Sequence, residues 1–429
     1  MQQLYDIDLL KDVASDRTSA VDTVLLFTAV TLVVLAFIPL VPPNDAIKGG
    51  GLTLRGVIEF GLILTGLFLM TAYARYRSLA LADLRSPATI IITIFVAWTF
   101  FSSIWSPNPF LAIAKGAELW AVALAGIMFV TLSRQLHSER DQLQTVLALG
   151  LVAALAILIL ANIFFWGTPL PSTGNEALPL HLLGEEPPAL AERPRLLLAY
   201  AHPLLTGDFL ALSVVCLFST RLGKVTKGVG MALLLGLLWM TDARGPSVAV
   251  VAALIVMAIL KVRRNSIRAV VAMLLISVVL AVVMIFQDAL FRPFSSLLTD
   301  DVYTLNSRTE LWPKAFEYIF EQPIIGYGYY SSRYLLMKDF IWAGHAHNSF
   351  IEIWLTTGLV GLILVVAYLA YLCRSLVTTQ HCLLIGALVY TLIQGMLNPL
   401  VFTPGLPMFV LTIAALSSEY QAAQRRAAR

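Results

Sequence analysis

The chain has 429 residues, 59% of them hydrophobic and only 13% charged, with a net charge of +3 and a mean hydropathy of +0.82. An ordinary soluble domain carries about 25% charged residues, so this composition cannot cover a water-facing surface, and it excludes a soluble enzyme, a disordered chain and a disulfide scaffold. It points to an all-α polytopic membrane protein, with too little net charge to suggest nucleic acid.

In chain order, the polar, mixed-charge start shows no cleavable signal peptide, and apolar runs follow at 21–41, 53–74, 88–105, 110–133, 143–166, 200–220, 226–241, 245–260, 267–287, 348–373, 381–397 and 402–418. A span needs about 20 mostly apolar residues, so the sequence predicts about twelve transmembrane helices. The runs 226–241 and 245–260 are short enough to pair as a hairpin. Cys216, Cys373 and Cys382 form no framework and are expected as free thiols.

Lysine and arginine set the orientation. Alternate loops and the two termini hold 18 of them, the opposite loops 9. Both termini are therefore expected in the cytoplasm. The expected organisation is membrane helices 1–5 over 1–166, a first long outward loop at 167–199 and helices 6–9 over 200–287. A large outward loop follows at 288–347, then helices 10–12 with a cytoplasmic tail over 348–429. Arg193, Arg195, Arg244, Arg292 and Arg308 sit in the outward loops near span ends, where the charge rule does not explain them.

Charges inside spans are costly and usually functional or paired. Here they are Arg55 and Glu59, Lys115 and Glu118, and Asp208, all in the outer halves of their spans. A transporter is expected to place some near the midplane; an outward-facing polar cavity is the simpler reading. Arg55–Glu59 and Lys115–Glu118 also read as structural pairs.

The second long loop runs into the tenth span as GHAHNSFIEIWLTTGLVGLILVV. Ser349 and Glu352 have capping-box spacing, so a helix is predicted to start there. That puts His347 just before an outward-facing helix N-terminus, a place that attracts anions and favours neutral imidazole. A neutral imidazole accepts a proton from a hydroxyl. Gly358, eleven residues on, is expected three turns below His347 on the same face, with Gly361 beside it to admit a neighbouring helix.

A His-Asn pair followed nine residues later by Gly-x-x-Gly resembles the signature of the O-antigen ligase and polymerase superfamily. NSRTELWPKAFEYIFEQPIIGYGYYS is similar to that family's outer-loop segment, with Arg308, Trp312 and a Gly326-x-Gly328 turn. TDARGPSVA resembles its Thr-x-Ser-Arg-Gly segment with Ala243 in place of serine. RPRLLLAYAHPLLTGDFLAL resembles its Arg…Asn-Pro segment with His202 in place of asparagine. The likeness covers about 195–365. It implies a ligase that transfers O-antigen from an undecaprenyl pyrophosphate carrier to a sugar hydroxyl of the lipid A–core oligosaccharide, on the periplasmic face, in lipopolysaccharide biosynthesis.

On that reading His347 is catalytic, and Arg195, Arg244 and Arg308, with Arg193 and Arg292, hold the pyrophosphate, for which guanidinium is the natural partner. Asn348, Gly358, Gly361, Lys115 and Arg55 support them. The sequence shows no acidic cluster suited to Mg²⁺, so no cofactor and a metal-independent, inverting transfer are expected.

Blander readings stand beside these. His345 and His347 are also the spacing of a metal pair completed by His202 or His181. Outer arginines, Arg333 among them, also anchor to headgroups; Asn348 is also a helix-start residue; Tyr327, Tyr329, Tyr330 and Tyr334 read more readily as packing or an interface belt than as sugar stacking. The competing functions are O-antigen polymerase, protein O-oligosaccharyltransferase (whose members tend to run longer at the C-terminus) and a lipid-linked glycan transporter.

Overall fold

The structure, a computed structural model, describes residues 23–38, 54–76, 85–136, 140–164, 196, 198, 203–263, 308–340, 343–379 and 381–427. Every regular element among them is helical. We number the helices α1 Thr23–Leu35, α2 Leu54–Tyr76, α3 Pro87–Ser102, α4 Pro109–Leu136, α5 Arg140–Phe164, α6 Pro203–Ser219, α7 Lys224–Met240 and α8 Arg244–Arg263. After these come α9 Arg308–Glu321, the short α10 Ser332–Leu336, α11 Ser349–Thr379, α12 Cys382–Gly395 and α13 Leu406–Ala427.

Each apolar run read from the sequence falls on one of these helices, except 267–287, which lies outside the described residues. Helices α2, α3, α4, α5 and α11 are long and apolar enough to cross a membrane; α1, α6, α8 and α12 are apolar but shorter. The chain is thus an all-helical, multi-pass membrane protein. Local chemistry marks the boundaries. The Ser86 hydroxyl accepts from the Thr89 N–H at 3.1 Å with Pro87 just inside, which is how a helix starts without orphan donors. All three cysteines are free.

The helices alternate in direction, and close contacts fix which ends lie together. Helices α2 and α4 run parallel, with Glu59 and Lys115 lining one cavity near their starts and Thr71 against Met128 further along. Helices α8 and α12 run antiparallel: a Cβ on Gly245 would lie 2.5 Å from Gln394 Oε1, and one on Gly386 would overlap Met257. That close approach of backbones is the usual way helices associate where lipid gives no hydrophobic drive. The two short helices α7 and α8 form no hairpin; each packs on α6 instead.

The result is two chemically different ends. At one, Arg134 donates to the Leu416 carbonyl and stacks on Tyr420, while Glu419 accepts from Ala88 N–H and Tyr371 O–H. The ends of α2, α4, α6, α8 and α13 lie there, with Arg75, Arg134, Arg425 and Arg426 in the last turns of α2, α4 and α13. At the other end gather the starts of α2, α4, α6, α8, α9, α11 and α13.

Candidate functional site

Three separated pieces of chain meet around the turn that follows α12. Arg308, at the start of α9, donates from Nη2 to the Leu397 carbonyl at 3.2 Å. Asn348 donates from Nδ2 to the Met396 carbonyl at 3.2 Å. The start of α8, carrying Arg244, lies against Gln394 and Leu397. Ser349 Oγ donates to the Asn398 carbonyl at 3.0 Å and accepts from Leu400 N–H at 2.8 Å. The segments that carry Arg244, Arg308 and the His347–Asn348 pair, separate in sequence, are therefore brought to one turn. Burial pushes the Arg308 guanidinium below its ordinary value, because desolvation disfavours the charged form.

The turn Thr241–Ala243 presents Arg244. The Thr241 hydroxyl accepts from Ala243 N–H at 3.1 Å and Asp242 takes a positive φ of 51°. Ala243 is buried where a Cβ on Gly207 of α6 would crowd it.

His347 also has a positive φ, 51°. Such a conformation costs a non-glycine residue about 1–2 kcal/mol. It is held by its neighbours. The His347 N–H donates to His345 Nδ1 at 3.2 Å, and the two rings lie 4.1 Å apart. As acceptor, His345 Nδ1 carries no proton, so a neutral His345 is the Nε2–H tautomer. Glu352 fixes the segment from below: Oε2 accepts from Ala346 N–H at 2.8 Å and Oε1 from Ser332 O–H at 2.5 Å.

Two sequence expectations need correction here. The helix cap is Asn348, not Ser349: Asn348 Oδ1 accepts from Phe350 N–H at 2.9 Å and Ile351 N–H at 3.2 Å. Ser349 and Glu352 both turn to tertiary partners instead. Gly358 does not lie on an unbroken face below His347. It interrupts α11 with φ 68° and ψ −170°, a region essentially reserved for glycine. The turn after α9 enters the gap: Tyr327 and Gly328 N–H donate to the Leu355 and Thr356 carbonyls, and Leu359 N–H donates to Pro323 at 2.9 Å. The close neighbour of Gly358 is thus the backbone of Ile324 and Gly326, not another helix. Gly361 faces Thr357 of its own helix.

Beside the turn lies a cavity of about 260 Å³. Its polar lining is Glu59, Lys115, Glu118, Asp208, Tyr330, Ser332, Arg333, His345, Glu352, Asn398 and Thr403. Lys115 and Glu118 pair at 2.6 Å, as their spacing predicts, and Lys115 lies 5.4 Å from the Tyr330 ring. Asp208 accepts from the Tyr390 hydroxyl, with the Gln394 and Asn398 amides facing it. His347, Arg244 and Arg308 are not among the lining residues; His345 stands between the histidine and the cavity.

Arg193, Arg195, Arg292 and His202 lie outside the described residues, as does the Arg55 side chain. Among the described residues no group of three His, Cys, Asp or Glu could hold a metal ion. Sequence reasoning passed over His345 as a cavity residue, Arg333 and Tyr330 as more than interface residues, and Tyr390 and Glu352 as partners. The signal available was their proximity in sequence to the motif, which for Tyr390 does not exist.

Residues 229–366, about a third of the chain, match the family model described as O-antigen ligase, which supports an O-antigen ligase family assignment. The matched stretch contains Arg244, Arg308, His347, Asn348, Gly358 and Gly361. No curated protein matches the chain.

Proposed function

We propose that the protein is an O-antigen ligase: a glycosyltransferase that moves O-antigen polysaccharide from undecaprenyl pyrophosphate to a sugar hydroxyl of lipid A–core. The observation that carries this reading is that Arg308 and Asn348 bond to one turn, with Gly245 packed against it, so that Arg244 and His347, their chain neighbours inside the matched stretch, come close to it. Guanidinium groups from separate elements suit the two charged phosphates of the leaving group. Arg195, Arg193 and Arg292 join them in this reading. His347 takes the proton of the acceptor hydroxyl, or holds that hydroxyl in place, as the new bond forms at the anomeric carbon. The carbon–oxygen bond to the pyrophosphate breaks with its electron pair leaving on the phosphate oxygen. One such displacement inverts the anomeric centre and uses no metal, because the arginines meet the departing charge.

The cavity suits the saccharide. It offers carboxylates, an amide, hydroxyls and two basic groups, a set able both to donate to and to accept from sugar hydroxyls. The lysine and arginine bias supports the reading that this end of the molecule faces the periplasm of an inner-membrane protein with both termini in the cytoplasm.

Gene deletion followed by electrophoresis of the lipopolysaccharide tests the reaction, with the glycan probed on both core and carrier. Bare core with long glycan still on the carrier is the expected result. Core bearing a single repeat would instead identify a polymerase, and an unchanged core would sink both. For the base, His347→Gln should abolish most transfer by purified enzyme. The wild-type rate should rise with pH across the ordinary histidine range, about pH 5–8. A flat profile with an active His347→Gln removes the base from the mechanism.

A further inference from the structure

We propose that the end of α9 and the turn after it form a lipid-contact ridge, seated in the boundary of the bilayer that α11 crosses. Helix α9 buries Leu311, Ala315 and Ile319 against Leu335, Leu336, Ile351 and Leu355. Its other face begins polar, with Glu310 and Glu317 exposed and Lys314 paired to Glu317 at 2.8 Å. At the C-terminal end the exposed residues become apolar: Phe320 is 70% exposed, Ile324 62% and Ile325 40%. Contiguous exposed apolar residues of this kind mark a contact surface.

The position of the ridge selects the partner. The Pro323 and Ile324 carbonyls accept from the N–H groups of Leu359 and Val360, so the ridge lies level with the break in α11. Above the break no residue of α11 is exposed; below it Leu359, Ile363 and Val366 form an exposed stripe at helical spacing on a membrane-crossing helix. Ile324 and Phe320 continue that stripe. Indoles gather at the same level: Trp354 Nε1 donates to the Pro323 carbonyl, Trp105 Nε1 to Gly326 and Trp98 Nε1 to Thr357, with Phe101 and Ile104 exposed beside them. A ring of tryptophan at one depth is how membrane proteins mark the water–lipid boundary. The lipid surface thus takes part in placing the site. His347 stands at the start of α11, nine helical residues above Gly358, which at 1.5 Å each is roughly 13 Å above the ridge.

Nitroxide labels test this in the full chain, with Cys373 and Cys382 changed to serine, in nanodiscs of phosphatidylethanolamine and phosphatidylglycerol. Labels replace Phe320, Ile324, Glu317 and, as the lipid reference, Ile363. The ratio of collisions with oxygen to collisions with a nickel chelate should shift at Phe320→Cys and Ile324→Cys to the value at Ile363→Cys, while Glu317→Cys stays with water. A chelate-accessible Ile324 label would show a wet ridge and overturn the proposal. A label shielded from both reagents would show a protein partner or a second copy there and overturn it equally. On the unmodified chain, a diazirine phospholipid should crosslink the segment 316–327; its absence from the crosslinked peptides would also sink the proposal.

Discussion

Glu352 accepts from Ala346 N–H and Ser332 O–H, and both donors belong to the segments that carry His345, His347 and Arg333. Glu352→Ala leaves two buried donors unmet, at about 1–3 kcal/mol each. The detergent-solubilised variant should therefore melt several degrees lower and lose most activity. Glu352→Gln keeps one acceptor oxygen but points an NH₂ at the other donor, so it should fall between the two. Equal melting of all three proteins would mean that the carboxylate holds nothing. Arg308 makes the complementary case. Its guanidinium fork donates from Nη2 to the Leu397 carbonyl at the turn that Asn348 also reaches. Lysine is a point charge without that fork. Arg308→Lys should recover little of the activity lost in Arg308→Ala, with a drop of about 10²-fold or more in kcat/KM for either. Full rescue by lysine would reduce the role to charge alone.

Among the elements, α11 decides the geometry, and it does so by being broken. A Cβ at Gly358 would run into the Ile324 carbonyl, and the φ of 68° with ψ near 180° adds about 1–3 kcal/mol of backbone strain for any other residue. Gly358→Ala should therefore release the turn 322–328 and speed tryptic cleavage after Lys314, Arg333 and Lys338. Gly236→Ala on α7, where a Cβ meets nothing, is the control and should leave the digestion pattern unchanged. The existence of these helices was legible because hydropathy is a local property. The break was not. A glycine within an apolar run reads as a packing position, and only the backbone of Pro323–Gly328 arriving from elsewhere shows what it admits. The cap shows the same limit: Asn348 and Ser349 are both good N-cap residues, and tertiary partners at Asn398 and Leu400 draw Ser349 away.

At the scale of the whole molecule, the helices sort their loops onto two ends. One end carries the basic residues of the sequence-defined inner loops, the other the gathering of Arg244, Arg308 and His347. The chain leaves α8 at the basic end and resumes with α9 at the other. The Lys/Arg bias predicts the orientation, and an impermeant maleimide on intact spheroplasts checks it. Glu310→Cys, at the site end, should label from outside, while Arg425→Cys should label only after permeabilisation. The reverse pattern would invert the topology and place the site in the cytoplasm.

By itself the sequence determined the membrane class, the positions of most helices, the Lys115–Glu118 pair and the motif around His347. Each depends on residues within a few turns of one another: average hydropathy, charge bias, spacing along one helix. The tertiary structure decided which distant groups share a site. Tyr390 meets Asp208, Arg308 meets Leu397, and Glu352 joins Ser332 to Ala346. Where the packed bundle excludes water, buried donors and acceptors find one another across it. Those pairings depend on how helices pack, not on what lies beside each residue in the chain.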